Sequence, residues 1–212
     1  MDNMENTPEF NRDIQPEQVN SDEVAAPKKR SASDMQNTIL SYLHDLVFLL
    51  VGLLLLFVLL FRIVVVSGPS MESTLYEGDF LIVLSSSLYT QPKAGDVVVI
   101  SKDSFDNGKP IVKRIIATSG QTVDIRGGEV FVDDQKVEGN YTTGRYDYNY
   151  PLVVDDGCVF VLGDNRENSK DSRNSEIGMI DEREVLGKVM FLALPAPDRF
   201  TGKRDFSRIG AV

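Results

Sequence analysis

Two residues in this sequence have the type and surroundings that nucleophilic catalysis requires. Ser70 directly follows Gly68 and Pro69. Glycine permits a positive φ and a close approach of the backbone, and proline fixes its own φ at about −65°. A serine on such a bend can present its hydroxyl to a substrate strand, although an ordinary turn serine has the same local sequence. The other residue is a lysine, which the requirement for a base identifies below.

A nucleophilic serine needs a base that accepts its proton. The single histidine, His44, precedes a long apolar segment, whereas Ser70 follows it. If that segment crosses a membrane, the two side chains lie on opposite sides, which excludes a Ser-His-Asp triad. The remaining base is a lysine that is neutral at working pH. A lysine has an ordinary pKa of about 10.4, which burial in apolar surroundings lowers.

Lys113 meets this condition because it lies in an apolar run, residues 110–117. Strand alternation places Lys113 on one face with Ile111 and Ile115, and Arg114 on the opposite face. This predicts an inward lysine beside an outward arginine. A solvated Lys-Arg pair on a strand is the alternative interpretation.

A second polar cluster, residues 163–173, follows the apolar run that ends at Leu162. A buried neutral lysine needs an orienting hydroxyl and a supporting ion-pair network. Ser169, Asp171 and Arg173 can supply both. Alone, the cluster is equally compatible with a solvated loop or an acidic cation loop, although its spacing is not that of an EF-hand.

The apolar segment Leu46–Phe61 contains no charged or polar residue. Extended to Val66, it would form a helix of roughly 31 Å, enough for a hydrocarbon core of roughly 30 Å. We interpret it as an uncleaved anchor, because it lies far from the N-terminus and exceeds the 7–15 residues or so of a signal-peptide core. A buried core helix is the alternative. The basic residues 28–30 before the segment predict a cytoplasmic N-terminus and a single-pass protein of the bacterial plasma membrane.

Short runs rich in Val, Ile and Phe, separated by turn signals, predict a mainly β, antiparallel domain after the anchor. The predicted strands are Phe80–Leu84, Val97–Ile100, Ile111–Ala117, Thr122–Ile125, Glu129–Val132, Val159–Leu162 and Val185–Leu194. The segment Asn140–Pro151 is predicted to be a loop, and Gly127-Gly128 a tight hairpin. The predicted divisions are a disordered cytoplasmic tail (1–38), a transmembrane helix (39–66), an extracytoplasmic β-rich domain (67–198) and a flexible C-terminal tail (199–212).

The composition argues against several kinds of partner and site. The formal net charge of −10 argues against a nucleic-acid partner. One cysteine excludes an internal disulfide, and one histidine with one cysteine argues against a His/Cys metal site. A carboxylate-only cation site stays open.

Together these features resemble type I signal peptidase, a membrane-anchored Ser/Lys peptidase, in its compact Gram-positive form. The resemblance covers roughly residues 62–195. It lies in Ser70–Leu75, Gly95–Val99, Lys113-Arg114 and residues 163–173. It implies a signal-peptidase β-sheet domain without a cofactor or metal. The implied partners are the lipid bilayer and exported preproteins with small residues before the cleavage site.

The resemblance also assigns roles to individual residues. Ser70 is the nucleophile, its backbone N–H an oxyanion donor, and Lys113 the general base. Ser169 is expected to hydrogen-bond the lysine amine. The residues expected to brace its loop are Asp164, Arg166, Asp171 and Arg173. The substrate is expected to add as a strand beside Val66–Pro69 and Ile111–Lys113. The residues expected to bind it are Val66, Gly68, Pro69, Met71 and Ile111.

The sequence departs from the family at two positions. Gly68 replaces a hydroxyl residue that some members have, so no side-chain oxyanion donor is expected there. Ser73 occupies a position where the family usually has proline, which is expected to loosen the turn. The alternatives to a signal peptidase are a catalytically idle relative that assembles surface proteins, a self-cleaving repressor, and an anchored binding module without chemistry.

Overall fold

The computed structural model describes residues 32–137 and 149–212. The chain divides into two compact units, Met1–Phe48 and Leu49–Val212. Most of the predicted N-terminal tail and most of the predicted loop Asn140–Pro151 lie outside the described residues.

Helix α1 spans Ala32–Leu60, and its stretch Met35–Leu60 is long and apolar enough to cross a membrane. The sequence predicted that the membrane helix continues to Val66, and the structure corrects this. The chain enters strand β1 (Phe61–Val65) directly after Leu60. The β-branched residues here favour a strand, and pairing with Phe80–Leu84 provides the backbone partners.

The predicted fold class is confirmed: antiparallel β-strands dominate the chain after α1. Each of the seven strands predicted from sequence is present to within one residue at either end. In chain order the later strands are β2 (Phe80–Ser85), β3 (Val97–Ile100), β4 (Ile111–Thr118), β5 (Thr122–Arg126), β6 (Glu129–Val132), β7 (Gln135–Lys136), β8 (Leu152–Val153), β9 (Cys158–Leu162), β10 (Ile180–Asp181), β11 (Val185–Leu194) and β12 (Gly210–Ala211). Short 3₁₀ helices are Asp106–Gly108, Arg166–Asn168, Glu182–Glu184 and Phe206–Arg208.

The strands form two sheets. The larger sheet has the order β1-β2-β11-β3-β4-β9-β10, with β12 also paired to β11. Strand β11 therefore lies between the pair β1-β2 and the remaining strands. Register shifts interrupt its pairing with both β2 and β3, as β-bulges do.

The smaller sheet has the order β7-β6-β5-β8. Its central hairpin joins Arg126 to Glu129 through two glycines. Gly127 and Gly128 both have positive φ, 59° and 86°, as a type I′ turn requires. The predicted tight hairpin is therefore present.

The C-terminal residues differ from the predicted flexible tail. Strand β12 pairs with β11 through Phe191 and Leu192, and Pro197 forms a β-bridge with Arg204. Val212 packs against a cluster of buried core residues. The polar composition that suggested fraying reflects side chains that make hydrogen bonds, as described below.

Candidate active site

Ser70 lies in a loop whose two ends are joined by backbone hydrogen bonds. The N–H of Val66 donates to the carbonyl of Asp79 at 2.9 Å, and the N–H of Gly78 donates to the carbonyl of Val66 at 2.9 Å. We call residues 66–79 the nucleophile loop. Gly68 has a φ of +85°, so the bend before Ser70 uses a conformation that glycine adopts without strain.

The residues after Ser70 anchor the nucleophile loop in the core. Met71 and Leu75 are both almost fully buried, and the N–H of Leu75 donates to the carbonyl of Met71 at 2.8 Å. Both belong to the same core cluster as Val112 of β4. Met71, which was expected to bind substrate, is 1% exposed. The packing of Met71 and Leu75 therefore holds the segment after Ser70 against β4.

Lys113 is the residue of β4 that reaches Ser70. Its Nζ donates a hydrogen bond to Ser70 Oγ at 2.7 Å. Its neighbours two positions away, Ile111 and Ile115, pack in a core cluster with Val98, and Lys113 itself is only 3% exposed. The pair predicted from separate parts of the sequence is in direct contact.

Burial lowers the pKa of Lys113 from its ordinary value of 10.5 to about 8. The carboxylates of Asp171 and Asp164 oppose this shift by stabilising the ammonium, and the guanidinium of Arg173 adds to it. With a pKa of about 8, roughly one-fifth of the amines are neutral at pH 7.4, compared with about one in a thousand for an exposed lysine. A fraction of the Lys113 amines is therefore neutral beside the Ser70 hydroxyl.

The polar loop after β9, residues 163–173, is organised by one buried ion pair. Arg173 donates through Nε to Asp171 Oδ1 at 2.8 Å and through Nη2 to Oδ2 at 2.9 Å. The side chains of Arg173 and Asp171 are 4% and 0% exposed. Asp171 Oδ2 also accepts from the N–H of Gly163 at 3.0 Å, and Arg166 Nε donates to the Gly163 carbonyl at 3.0 Å. We call residues 163–173 the support loop.

The support loop binds the nucleophile loop through its second and third residues. The N–H of Asn165 donates to the carbonyl of Ser70 at 3.0 Å, and its Nδ2 donates to the carbonyl of Pro69 at 3.1 Å. Thr74 Oγ1 donates to Asp164 Oδ2 at 2.6 Å. Sequence reasoning did not single out Asn165 or Thr74, although both lie inside the motifs on which the resemblance was based.

Asp164 also receives Arg114, the neighbour of the candidate base. Arg114 donates through Nε to Oδ1 at 2.9 Å and through Nη2 to Oδ2 at 2.8 Å. Its Nη1 donates to the carbonyl of Gly95 at 2.8 Å. Arg114 was predicted to point outward, but only 15% of its side chain is exposed. This arginine therefore links β4, the support loop and the turn before β3.

Gly163 lies where the two loops approach most closely. A Cβ built on Gly163 would lie 2.3 Å from Ser169 Oγ and 2.4 Å from the carbonyl oxygen of Ser70, so a side chain does not fit. Ser169 is therefore next to the site, as predicted. However, its Oγ makes a long 3.5 Å contact with the carbonyl of Lys170, and the described residues show no hydrogen bond from it to Lys113. The amine is directed to Ser70 instead.

One edge of β4 is open beside the Ser-Lys pair. Residues 111–114 pair with β3 on one side, and pairing with β9 on the other side begins only at Arg114. Among the described residues, Ile111–Lys113 therefore has no strand partner on that second edge. No group of three or more His, Cys, Asp or Glu side chains in the described ranges can hold a metal ion.

Comparison with known proteins identifies the family. A family model described as signal peptidase, peptidase S26, matches residues 39–194. A probable signal peptidase I-1 from Synechocystis sp. is 37% identical over 139 residues, which cover 62% of this chain and 70% of that protein. Signal peptidase I of Bacillus licheniformis is 30% identical over 182 residues, 79% of this chain and 95% of that protein. Signal peptidase I T of Bacillus subtilis is 31% identical over 79% of this chain and 91% of that protein.

A solved signal peptidase I from Enterococcus faecalis aligns with 47% of this chain and 97% of that chain, at 25% identity and a TM-score of 0.38. The sequence matches define the class of the protein as a peptidase. The chain belongs to the signal peptidase family, peptidase S26. The resemblance to type I signal peptidase seen in the sequence is thereby confirmed, and helix α1 is compatible with a membrane-anchored protein.

Proposed function

We propose that this protein is a serine endopeptidase that removes N-terminal signal peptides from exported preproteins. Ser70 is the nucleophile and Lys113 is the general base. The observation that carries the proposal is the 2.7 Å contact between Ser70 Oγ and the amine of a lysine that is 3% exposed. Family membership supports the substrate class, because the matched relatives are signal peptidases.

The reaction is an acyl transfer in two halves. Neutral Lys113 accepts the proton of Ser70 as Oγ attacks the carbonyl carbon before the cleavage site. The backbone N–H of Ser70 donates to the oxyanion that forms. The C–N bond then breaks, and the Lys113 ammonium gives its proton to the departing amine, which is the new N-terminus of the mature protein.

Water completes the second half. Lys113, neutral again, accepts a proton from a water molecule that attacks the acyl-enzyme ester. The C–O bond to Ser70 breaks, the signal peptide leaves with a carboxylate, and Ser70 regains its proton. Each proton that Lys113 accepts is returned, so the cycle needs no cofactor.

The substrate adds as an extended strand between two backbone segments. One is the open edge of β4 at Ile111–Lys113. The other is Val66–Pro69, which leads into Ser70. Main-chain hydrogen bonds of this kind bind a strand without regard to its sequence, and shallow pockets then select small side chains. Val66, Gly68, Pro69, Met71 and Ile111 remain the residues proposed to form this subsite.

The apolar helix α1 supports a location of the reaction at a membrane. The basic residues 28–30 precede α1, so the N-terminus is proposed to be cytoplasmic and the catalytic domain extracytoplasmic. The sheet begins at Phe61, immediately after the helix ends at Leu60. A cleavage site that emerges from the outer surface of the bilayer would then meet Ser70.

Incubation of the detergent-solubilised protein with a preprotein that ends in an Ala-x-Ala site tests the proposal. We expect cleavage after the second alanine by the wild type, and loss of at least about 1,000-fold in rate for both Ser70→Ala and Lys113→Met. His44→Ala is the control and keeps full activity. Processing by a folded Lys113→Met protein would contradict the base assignment. A wild type without any activity would favour the catalytically idle alternative.

A further inference from the structure

The nucleophile loop is held at Thr74 from two sides. The hydroxyl of Thr74 donates to Asp164 of the support loop at 2.6 Å. The carbonyl of the same residue accepts from Arg208 Nη2 at 3.3 Å. The first contact lies within the family motifs, whereas Arg208 comes from a C-terminal segment that lies outside the residues matched by the family.

Asp79 is the main partner of Arg208. The guanidinium donates through Nη2 to Asp79 Oδ2 at 2.6 Å and through Nη1 to Oδ1 at 3.2 Å. The carboxylate is 0% exposed and also accepts from the backbone N–H groups of Tyr76 at 2.8 Å and Ala196 at 2.7 Å. All these donors converge on the residue that closes the nucleophile loop.

The pair formed by Asp79 and Arg208 is charged. Burial alone would raise the pKa of Asp79, but hydrogen bonds from Arg208 and from two backbone N–H groups outweigh it, so the pKa lies below its ordinary value. The guanidinium also lies over the ring of Tyr76, 4.4 Å from its centroid. A planar guanidinium can stack on the Tyr76 ring through its face while it donates hydrogen bonds to Asp79 from its edge. The ammonium of a lysine cannot do both.

The segment that carries Arg208 is fixed to the fold. Strand β12 (Gly210–Ala211) pairs with β11 two residues after Arg208. Val212 packs against the core cluster that contains Met71 and Leu75, the buried residues of the nucleophile loop. The C-terminal segment 206–212 therefore contacts the nucleophile loop through a charge pair, and its last residue packs against the same core cluster as that loop.

We infer that Arg208 is a positioning residue for the reaction, and that it acts on Ser70 through Asp79 and Thr74. The inference rests on the proposed role of Ser70 as nucleophile. Arg208 fixes the far side of the loop whose near side is fixed by the support loop. Without its guanidinium, Ser70 Oγ loses its alignment with Lys113, and a displacement of about 1 Å is sufficient to lower a rate by about 100-fold.

Kinetics with the preprotein substrate test this role. We expect Arg208→Gln to lower kcat at least about 10-fold while KM stays within about twofold, because the substrate strand contacts other segments. Arg208→Lys keeps the charge but lacks the fork, and should recover only part of the rate. Added guanidinium ion should restore activity to Arg208→Gln and leave Lys113→Met inactive.

Arg199→Gln is the matched control. This arginine lies in the same C-terminal part of the chain and also pairs with the nucleophile loop, at Glu77, but this pair is at the surface, and the arginine is 69% exposed. It should match the wild type in kcat and in melting temperature to within about 2 °C. The comparison distinguishes the effect of removing the Arg208 guanidinium from the effect of removing one positive charge elsewhere in the C-terminal part of the chain.

Three results would overturn the inference. The first is a folded Arg208→Gln protein with wild-type kcat. The second is a loss of activity that tracks only the unfolded fraction and does not respond to guanidinium. If Arg208→Gln does not fold, a wild-type kcat for Arg208→Lys is the third. All three leave the Ser/Lys proposal intact, because that proposal fails only if Ser70→Ala or Lys113→Met retains activity.

Discussion

The ion pairs around Ser70 and Lys113 differ from those of the smaller sheet. In the larger sheet, the ion pair of Arg114 with Asp164 joins residues 50 apart in sequence, and that of Arg208 with Asp79 joins residues 129 apart. Their carboxylates are 2% and 0% exposed. In the smaller sheet, Arg126 pairs with Asp134, eight residues away, and these side chains are 54% and 83% exposed.

The two kinds of ion pair differ in how much they stabilise the fold. Ion pairs that are exposed and close in sequence contribute about 0–1 kcal/mol to stability, so they constrain the fold only weakly. Removing one partner of a buried pair costs about 3–5 kcal/mol, because the remaining charge is left without compensation. The larger sheet uses such pairs to hold two loops against each other around Ser70 and Lys113. The smaller sheet contributes no residue to that pair.

Glycine substitutions should show the largest contrast between the sheets. Gly163→Ala places a Cβ 2.4 Å from the Ser70 carbonyl, so the nucleophile loop must move. We expect preprotein cleavage to fall at least about 100-fold. Gly127→Ala in the small-sheet hairpin meets no atom within 4 Å, although its φ is +59°. It should lose about 1–2 kcal/mol of stability and no activity. If the two variants were equally active, the larger sheet would be no more important for cleavage than the smaller one.

Removal of one carboxylate from each sheet is the next test. Asp164→Ala leaves Arg114 without its bidentate partner and Thr74 without its acceptor, so we expect a loss of about 3–5 kcal/mol in the free energy of unfolding. Asp134→Ala should cost less than about 1 kcal/mol. Urea denaturation measures both. If Asp164→Ala were as stable as Asp134→Ala, burial would not determine how much these ion pairs contribute to stability.

The buried base gives a pH-dependent contrast. Cleavage should rise about tenfold per pH unit below about 8 and level off above it, since neutral Lys113 is the proposed general base. Stability should change too. Between about 8 and 10.5 the unfolded chain binds more protons at this lysine than the folded one, so stability rises with pH. Lys113→Met should therefore be more stable than wild type by up to about 3 kcal/mol at pH 7, and this advantage should shrink as pH rises from about 8 to 10.5. A constant difference would contradict the lowered pKa.

The smallest expected effect is at Ser73. Its φ is +88°, a conformation that strains any residue other than glycine. Ser73→Gly should raise the free energy of unfolding by about 1 kcal/mol and leave cleavage within about twofold. Ser73→Pro should destabilise the protein, because proline cannot adopt a positive φ. If the proline variant were the more stable, the turn after Ser70 would have a different backbone from the one described.

The sequence predicted those parts of the fold that depend on local pattern. Runs such as Val97–Ile100 are long and β-branched enough to identify a strand, and Lys113 stood out because it interrupts such a run. The partners of Ser70 and Lys113 were harder to assign. Ser169 was expected to bind the amine, but its Oγ lies against Gly163 and contacts the carbonyl of Lys170.

Other features were invisible because they depend on distant pairing. Residues 61–65 of the expected membrane helix form β1, whose backbone partners lie in β2, about 20 residues further along the chain. Strand β12 is two residues long and has no pattern of its own, so its pairing with β11 could not be predicted. Arg208 was likewise an ordinary polar residue until the fold brought it to Asp79, 129 positions away. Contacts of this range leave no periodic signal in a single sequence.

The central place of β11 has a consequence for biosynthesis. Within the larger sheet, the strands that lead into and out of the Ser70 segment, β1 and β2, join the strand of Lys113 through β11, which comes late in the chain. The sheet that supports the contact between Ser70 and Lys113 is therefore incomplete until residues 185–194 have been synthesised.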